Sequence, residues 1–217
     1  MNPQTQETLE KLRLRFNLDL EQKQMPIEIP NTDRETLASL FWELGLNRGV
    51  ELGVEQGLYS ETLCKANPNI QLFSVDAWTA YKGYRDHVSQ SKIDGFHEKT
   101  LERLSPYNVT VIKGFSMDIV KQFSDESLDF VYIDGNHEFK QTVDDITEWA
   151  KKVRSGGIIA GHDFIRRKNP EYLMHVIEAV EGYTSAWKIK PWFVLGRKDK
   201  IEGERRDQNR SWFFVKP

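Results

Sequence analysis

Val50-Glu51-Leu52-Gly53-Val54-Glu55-Gln56-Gly57-Leu58-Tyr59-Ser60 reads as an apolar strand that turns sharply and enters a helix. Gly53 and Gly57 bracket the turn, where a residue without Cβ tolerates unusual φ/ψ and lets the backbone approach a ligand. The next strand, Gln71–Val75, leads into Asp76, and a carboxylate at that place can accept both hydroxyls of a ribose. A plain βα turn beside a solvated aspartate has the same local appearance. The dinucleotide fingerprint G-x-G-x-x-G is broken because position 55 is glutamate, which argues against a nicotinamide cofactor.

Outward from this stretch, strands and helices alternate. The expected strands are Gly49–Gly53, Gln71–Val75, Val109–Lys113, Phe130–Asp134 and Gly157–Gly161, several of them apolar on consecutive residues, as in parallel strands buried on both faces. Trp192–Leu195 and Trp212–Val215 follow, joined by the charged segment Arg197–Arg210, and are expected to form an antiparallel hairpin with a solvated tip. Between strands the clearest helix is Glu138–Val153, with Phe139, Val143, Ile146, Ala150 and Val153 on one stripe. Another is expected to begin at Asn169-Pro170, to carry Leu173, Ile177 and Val180, and to stop at Gly182. At the N-terminus, 5–20 form a helix with Leu9, Leu12 and Phe16 on one face, and 25–30 (Met-Pro-Ile-Glu-Ile-Pro) form an extended linker. Thr32 and Glu35 suggest a capping box for a helix that buries Leu37, Leu40, Phe41 and Leu44 and ends at Gly45. The expected architecture is α/β and doubly wound, with residues 1–31 as an N-terminal extension and linker and 32–217 as the domain.

Composition narrows the function. The 217 residues are 39% hydrophobic and 29% charged, with net charge −3, so no bulk field favours nucleic acid. No apolar run reaches the ~20 residues of a membrane helix, and the N-terminus lacks the apolar core of a secretory signal, so a cytoplasmic location is expected. Cys64 is the only cysteine, which excludes an internal disulfide and zinc sites built on paired cysteines; it is read as packing. The implied partner is a small molecule, and a homo-oligomer is left open.

Chemistry gathers at strand ends. Lys113-Gly114-Phe115-Ser116 places Ser116 on a loop, as a helix cap or near a bound base. Asp134 ends a central strand and is followed by Gly135-Asn136-His137; His162 and Asp163 follow Gly161. If those strands are neighbours, Asp134, His162 and Asp163 converge, and one imidazole with two carboxylates can hold a divalent cation. His137 is a candidate general base or a neighbour of the base, and His162 and Asp134 are further catalytic candidates. The aromatic stretch Trp78–Arg85 suits an acceptor wall or a packed loop equally.

Six segments in order resemble class I methyltransferases that use S-adenosylmethionine (SAM), in the branch near catechol-type and macrocin-type O-methyltransferases (methyltransferase domain family 24). They are 50–57 (VELGVEQG), 74–78 (SVDAW), 113–116 (KGFS), 130–137 (FVYIDGNH), 156–164 (GGIIAGHDF) and 211–216 (SWFFVK). The resemblance implies a Rossmann-like, seven-stranded, mostly parallel sheet with its last strand antiparallel. It implies SAM contacts from Glu51, Gly53 and Gly57, with Asp76 on the ribose, Ser116 near the adenine and Asp134 at the methyl end. A cation matching that of metal-dependent relatives would sit on Asp134, His162 and Asp163, with Mg²⁺ or Mn²⁺ as candidates. The catechol-type pair is Asp-Asn where this chain has His162-Asp163, and an imidazole suits Mn²⁺, Fe²⁺ or Zn²⁺ better than Mg²⁺. The implied reaction is O-methylation of a small hydroxylated acceptor such as a sugar or secondary metabolite. The rival readings are a nicotinamide-dependent oxidoreductase and a silent nucleoside-binding module.

Overall fold

The structure, a computed structural model, describes residues 2–81, 89–166 and 173–217. One eight-stranded sheet organises it. In chain order the strands are β1 (Ile27–Ile29), β2 (Arg48–Leu52), β3 (Gln71–Asp76), β4 (Val109–Lys113), β5 (Leu128–Ile133), β6 (Val153–Gly161), β7 (Trp192–Leu195) and β8 (Trp212–Val215). Their spatial order is β1-β7-β8-β6-β5-β2-β3-β4. β8 runs antiparallel to both its neighbours, β6 and β7, and every other pairing is parallel. The chain winds outward through β2, β3 and β4, then returns to the other side of β2 as β5. The crevice where strand order reverses therefore lies between β2 and β5, and open α/β sheets bind ligands at such a point.

The expected parallel strands and terminal hairpin are all present. The eighth strand is new, because the stretch expected as linker pairs with β7 in parallel. Ile27 and Ile29 are buried and Glu28 between them is half-buried, a two-residue alternation that the flanking prolines obscured. β7 would otherwise expose its edge, and a three-residue strand is enough to cover it.

Helices cover both faces. α1 (Pro3–Phe16), α2 (Arg34–Glu43) and α3 (Leu58–Ala66) share a core with Phe130, Tyr132, Ile158 and Phe213. On the other face α5 (Ser116–Ile119), α6 (Phe139–Lys152) and α7 (Val176–Ala186) pack on Val131, Ile133, Ile159 and Phe214. α4 (Gln90–Leu104) lies beyond α3. The N-terminal segment is fastened to the sheet: Thr5 Oγ1 donates to the Lys216 carbonyl at 2.7 Å and Thr8 Oγ1 to the Gly156 carbonyl at 2.8 Å. No helix among the described residues is long and apolar enough to cross a membrane.

Four boundaries differ from expectation. α1 ends at Phe16, where Asn17 takes a left-handed φ of 50°. The cap of α2 is Asp33 with Thr36, because Thr32 is buried and committed elsewhere: its hydroxyl donates to the Ile29 carbonyl and accepts from Gly196 N–H. The buried face of α6 is Thr142, Asp145, Ile146, Trp149 and Ala150, so Phe139, expected on the apolar stripe, stays half exposed at the first turn. α7 begins at Val176, so Leu173, expected on its stripe, lies exposed ahead of it, and it continues past Gly182 to Ala186, where Thr184 is buried; the expected Asn169-Pro170 start lies outside the described residues.

Gly49 shows how tightly the central strands are packed. A Cβ there would lie 2.1 Å from the Phe130 ring, itself stacked on Phe41 with centroids 4.1 Å apart. Gly49→Ala is therefore expected to cost about 1–3 kcal/mol by overpacking, read as a lower denaturant midpoint with unchanged slope; unaltered stability would show that the ring can move aside.

Candidate functional site

A cavity of about 620 Å³ opens at the β2/β5 crevice, within the size range of small-molecule sites. Its wall brings together Gly53, Asp76, Ser116, Asp134 and His137 from four separate stretches of sequence. Gly53 takes φ 84°, and a Cβ on it would lie 2.1 Å from the Asp134 carbonyl oxygen. The Asp134 N–H donates to the Leu52 carbonyl at 2.8 Å, so the ends of β2 and β5 are locked edge to edge.

Asp76 is held ready. Its Oδ2 accepts from Glu55 N–H at 2.9 Å and its Oδ1 from Trp78 N–H at 2.8 Å. Each carboxylate oxygen keeps capacity for one more donor, which suits the two hydroxyls of a ribose. Trp78 is buried, tilted against His97, and donates Nε1–H to the Glu55 carbonyl. Of the expected aromatic wall, Trp78 and Tyr81 line the cavity, and Tyr81 accepts from Asn136 Nδ2 at 3.0 Å; residues 82–85 lie outside the described residues.

Glu51 and Gly57 do not reach the cavity wall. Gly57 caps α3 at φ 74° and faces Thr100 and Leu104 of α4. Glu51 is buried beneath the turn, where Ser60 Oγ donates to it and also meets Ser74 Oγ at 2.8 Å. Burial pushes the Glu51 carboxyl up to about 8, against the smaller opposing effect of Ser60. Cys64, also buried, is pushed up to about 12 by desolvation, which suits packing and not nucleophilic chemistry.

At one end of the cavity Asp134 meets a second group. His162 N–H donates to the Ile133 carbonyl at 3.0 Å, which sets the β6 end beside the β5 end. His162 Nδ1 then lies 3.6 Å from Asp134 Oδ2 and 3.8 Å from Asp163 Oδ1. Ligand atoms of Asp134, His162 and Asp163 all fall within 4.8 Å of one another. Two ligands on one ion are at most about 4.2 Å apart, twice a bond of ~2.1 Å, so the trio would fit a divalent cation after closing by roughly half an ångström.

His137 stands between the cavity and this trio. Its Nε2 is 2.7 Å from Asp163 Oδ2 and 3.7 Å from Asp134 Oδ1. Asp163 Oδ2 sits off the N–H axis and Asp134 Oδ1 lies beyond hydrogen-bond distance, so Nε2 has no aligned hydrogen-bond partner among the described residues. Burial alone would favour the neutral ring, but the two carboxylates outweigh it and carry the imidazole up to about 10. The direction favours the imidazolium, the form that already carries the proton a general base would need to accept. His162 is raised by the same carboxylates against burial, and Asp163 is lowered by the two imidazoles, also against burial.

Sequence reading missed three contributors. Asn209 Nδ2 donates to Asp163 Oδ1 at 2.5 Å, and Arg210, buried, donates to Glu28 Oε1 at 2.5 Å. The segment expected as a solvated tip is exposed along most of its length, but its end folds back because these polar groups find partners in Asp163 and Glu28. Asp145 is the third: it lines the cavity from α6 and accepts from Ser116 Oγ at 2.5 Å. Burial pushes it up to about 6. A carboxylate on the apolar face of a helix was its available signal.

The profile of a family described as "Methyltransferase domain" matches residues 50–164. The chain belongs to that family. It is a class I methyltransferase of the SAM-dependent kind, and the oxidoreductase reading is not favoured. No curated protein sequence matches it. Among solved structures, an O-methyltransferase from Bacillus cereus with S-adenosylhomocysteine (SAH) bound has TM-score 0.61 at 16% identity, covering 100% of this chain and 92% of that one. An O-methyltransferase of tomaymycin synthesis from Streptomyces achromogenes, with SAM bound, has TM-score 0.60 at 16% identity, covering 100% and 91%. The CurJ carbon methyltransferase reaches 0.61 at 11% identity, covering 85% and 54%, so the fold by itself does not fix which atom is methylated.

Glu51 gives this site a pH signature in the unliganded protein. Its folded value, about 8, lies above the ordinary 4.5, so its contribution to stability is full below about pH 4.5 and is lost as pH rises through about 8. Glu51→Gln cannot ionise, so its melting temperature relative to the parent should climb across that window. Parallel pH curves for the two proteins would contradict the buried, protonated carboxyl.

Proposed function

We propose that this chain transfers the methyl group of SAM to a hydroxyl oxygen of a small acceptor such as a sugar or secondary metabolite. The observation that carries the reading is the double membership of Asp134, which lines the nucleoside-sized cavity and also belongs to the His162–Asp163 cluster. A ligand with its ribose on Asp76 and its reactive end at Asp134 presents that end to the cluster.

The reaction is an in-line displacement. A lone pair of the acceptor oxygen forms the new O–CH₃ bond, the S–CH₃ bond breaks with its pair going to sulfur, and the acceptor proton leaves. Alignment can supply ~7–11 kcal/mol of such a barrier. Asp76 fixes the nucleoside, Gly53 lets it approach the backbone, and the Asp134 carboxylate places negative charge by the sulfonium. Asp134, His162 and Asp163 would hold a divalent cation, which would supply the charge that acidifies a bound hydroxyl. With Asp163 Oδ2 against His137 and Oδ1 taken by Asn209, metal-free chemistry has a structural argument too. In that case Asp134 is the best-placed proton acceptor.

Two measurements test this. SAH should raise the melting temperature by mass action while NAD(H) does not, and Asp76→Ala should weaken SAH binding about 10- to 100-fold, the loss of charge-assisted hydrogen bonds; a folded variant with unchanged affinity would remove the assignment. In a product screen with labelled SAM and hydroxylated acceptors, Asp134→Asn should lower kcat by at least ~100-fold. Loss of activity with chelator and return with Mn²⁺ would select the metal route. Survival would select proton transfer, and full activity of Asp134→Asn would defeat both.

A further inference from the structure

On the β6 side of Asp134, away from Asp76, the start of α2 meets the end of the segment between β7 and β8. Arg34 N–H donates to Asp207 Oδ2 at 2.8 Å, Arg205 N–H donates to Asn31 Oδ1 at 2.9 Å, and Asn209 reaches Asp163, so the two segments are held against each other and against the cluster. Arg34 is the group there that the fold does not explain. It is the first residue of α2 after the Asp33 cap, at the positive end of the helix dipole, where a cation is disfavoured. Its side chain is half-buried over the Tyr59 ring, with Cζ 5.4 Å from the centroid. The guanidinium makes no hydrogen bond or ion pair among the described residues, although the Asp207 carboxylate sits on the same residue's backbone. Arg205 and Arg206 also lack an ion pair among the described residues, whereas Arg197 is matched by Glu204 and Arg210 by Glu28. Burial works against the Arg34 charge, but Tyr132, Asp207 and Asp134 stand within electrostatic range and favour it, and His162 feels Arg34 in turn.

We infer that Arg34 is a specificity-determining residue for the methyl acceptor, and that the acceptor carries, besides its hydroxyl, a carboxylate or phosphate that this guanidinium grips. The inference rests on the methyl-transfer reading above. With the ribose on Asp76 and the methyl group presented at Asp134, the acceptor stands on the β6 side, between the cluster and the start of α2. Its hydroxyl belongs at Asp134, and the cation nearest to hand for the rest of it is Arg34. The N–H donors of a guanidinium form a rigid fork that matches two oxygens of a carboxylate or phosphate. A guanidinium already resting on an aromatic ring loses little freedom in taking them. An unpaired charge in a half-buried place costs free energy that a bound oxyanion offsets, and a neutral acceptor would leave that cost standing. Asp134, Asp163 and Asp207 by themselves would repel an anionic acceptor; Arg34, with Arg205 and Arg206, supplies the opposing field.

The test has a binding arm and a turnover arm, both on the full chain. In the first, the SAH complex is titrated calorimetrically with inorganic phosphate. The parent should bind it, and Arg34→Gln should bind it at least ~10-fold more weakly, the loss of charge-assisted hydrogen bonds. Arg34→Lys keeps the charge without the fork and should fall between, which keeps the test usable if one variant folds poorly. SAH affinity should be the same in all three, since Arg34 does not line the nucleoside cavity. In the second arm, labelled SAM is offered with probe pairs that differ in charge: glucuronate against glucuronamide for a carboxylate, glucose 6-phosphate against glucose for a phosphate. The acidic member of one pair should be methylated with kcat/KM about 10- to 100-fold higher, and Arg34→Gln should close that gap at least ~10-fold. An SAH complex that takes up no phosphate, phosphate binding that survives Arg34→Gln, or neutral probes that serve as well as acidic ones would overturn the inference and leave the cofactor reading intact. A parent that does not bind SAH would overturn the reading on which it rests.

Discussion

A methyl group on residue 53 would lie 2.1 Å from the carbonyl oxygen of Asp134, and the arrangement of the site follows from that missing methyl. Glycine lets the end of β2 and the end of β5 close on one another at a positive φ, and the Leu52 carbonyl then takes the Asp134 N–H. This fixes Asp134 at the switch point of the sheet. Neighbouring ends follow in register: Asp76 on one side through β3, His162 and Asp163 on the other through β6. One close backbone contact thus decides which carboxylates can share a ligand.

Around Asp134 the charges are arranged to offset one another. Two carboxylates held close together in a half-buried place repel, and two imidazoles are the compensation the chain supplies. His137 is the stronger partner and is driven far toward its protonated form. A cation or a charged ligand would enter by displacing contacts that already exist. Activity across pH reflects this set as a whole, since groups so closely coupled share their titration.

The termini of the chain complete the site's outer wall. β1 covers the β7 edge and carries Glu28, which receives Arg210; the residue before Arg210, Asn209, reaches Asp163. The Asp207 carboxylate accepts from Arg34 N–H at the start of α2. Segments far apart in sequence are held against one another by partly buried polar pairs. Such pairs are strongly destabilising to break singly, because the remaining partner is left unpaired.

The sequence by itself determined the winding of the sheet. Continuous apolar strands ending in Gly53, Asp76, Asp134 and Gly161, with helical stripes between them, allow little but a doubly wound α/β fold, because those periodicities report burial directly. The same logic brought out Gly53, Asp76, Ser116, Asp134, His137, His162 and Asp163, all at strand ends or the turns after them. What it did not carry was anything decided by which polar group meets which. Ile27–Ile29 is too short to announce a strand and becomes one only because β7 has a free edge. Asn209 and Arg210 look solvated until their partners Asp163 and Glu28 are placed. Asp145 is one more charged residue in a charged helix until folding turns it inward onto Ser116. Glu51 and Gly57 share a motif with Gly53 yet sit behind the wall: Glu51 is buried beneath the turn against Ser60, and Gly57 caps α3 facing α4. Burial patterns are periodic and local, so a sequence displays them. Hydrogen-bond partnership between distant segments is neither, and only the tertiary structure decides it.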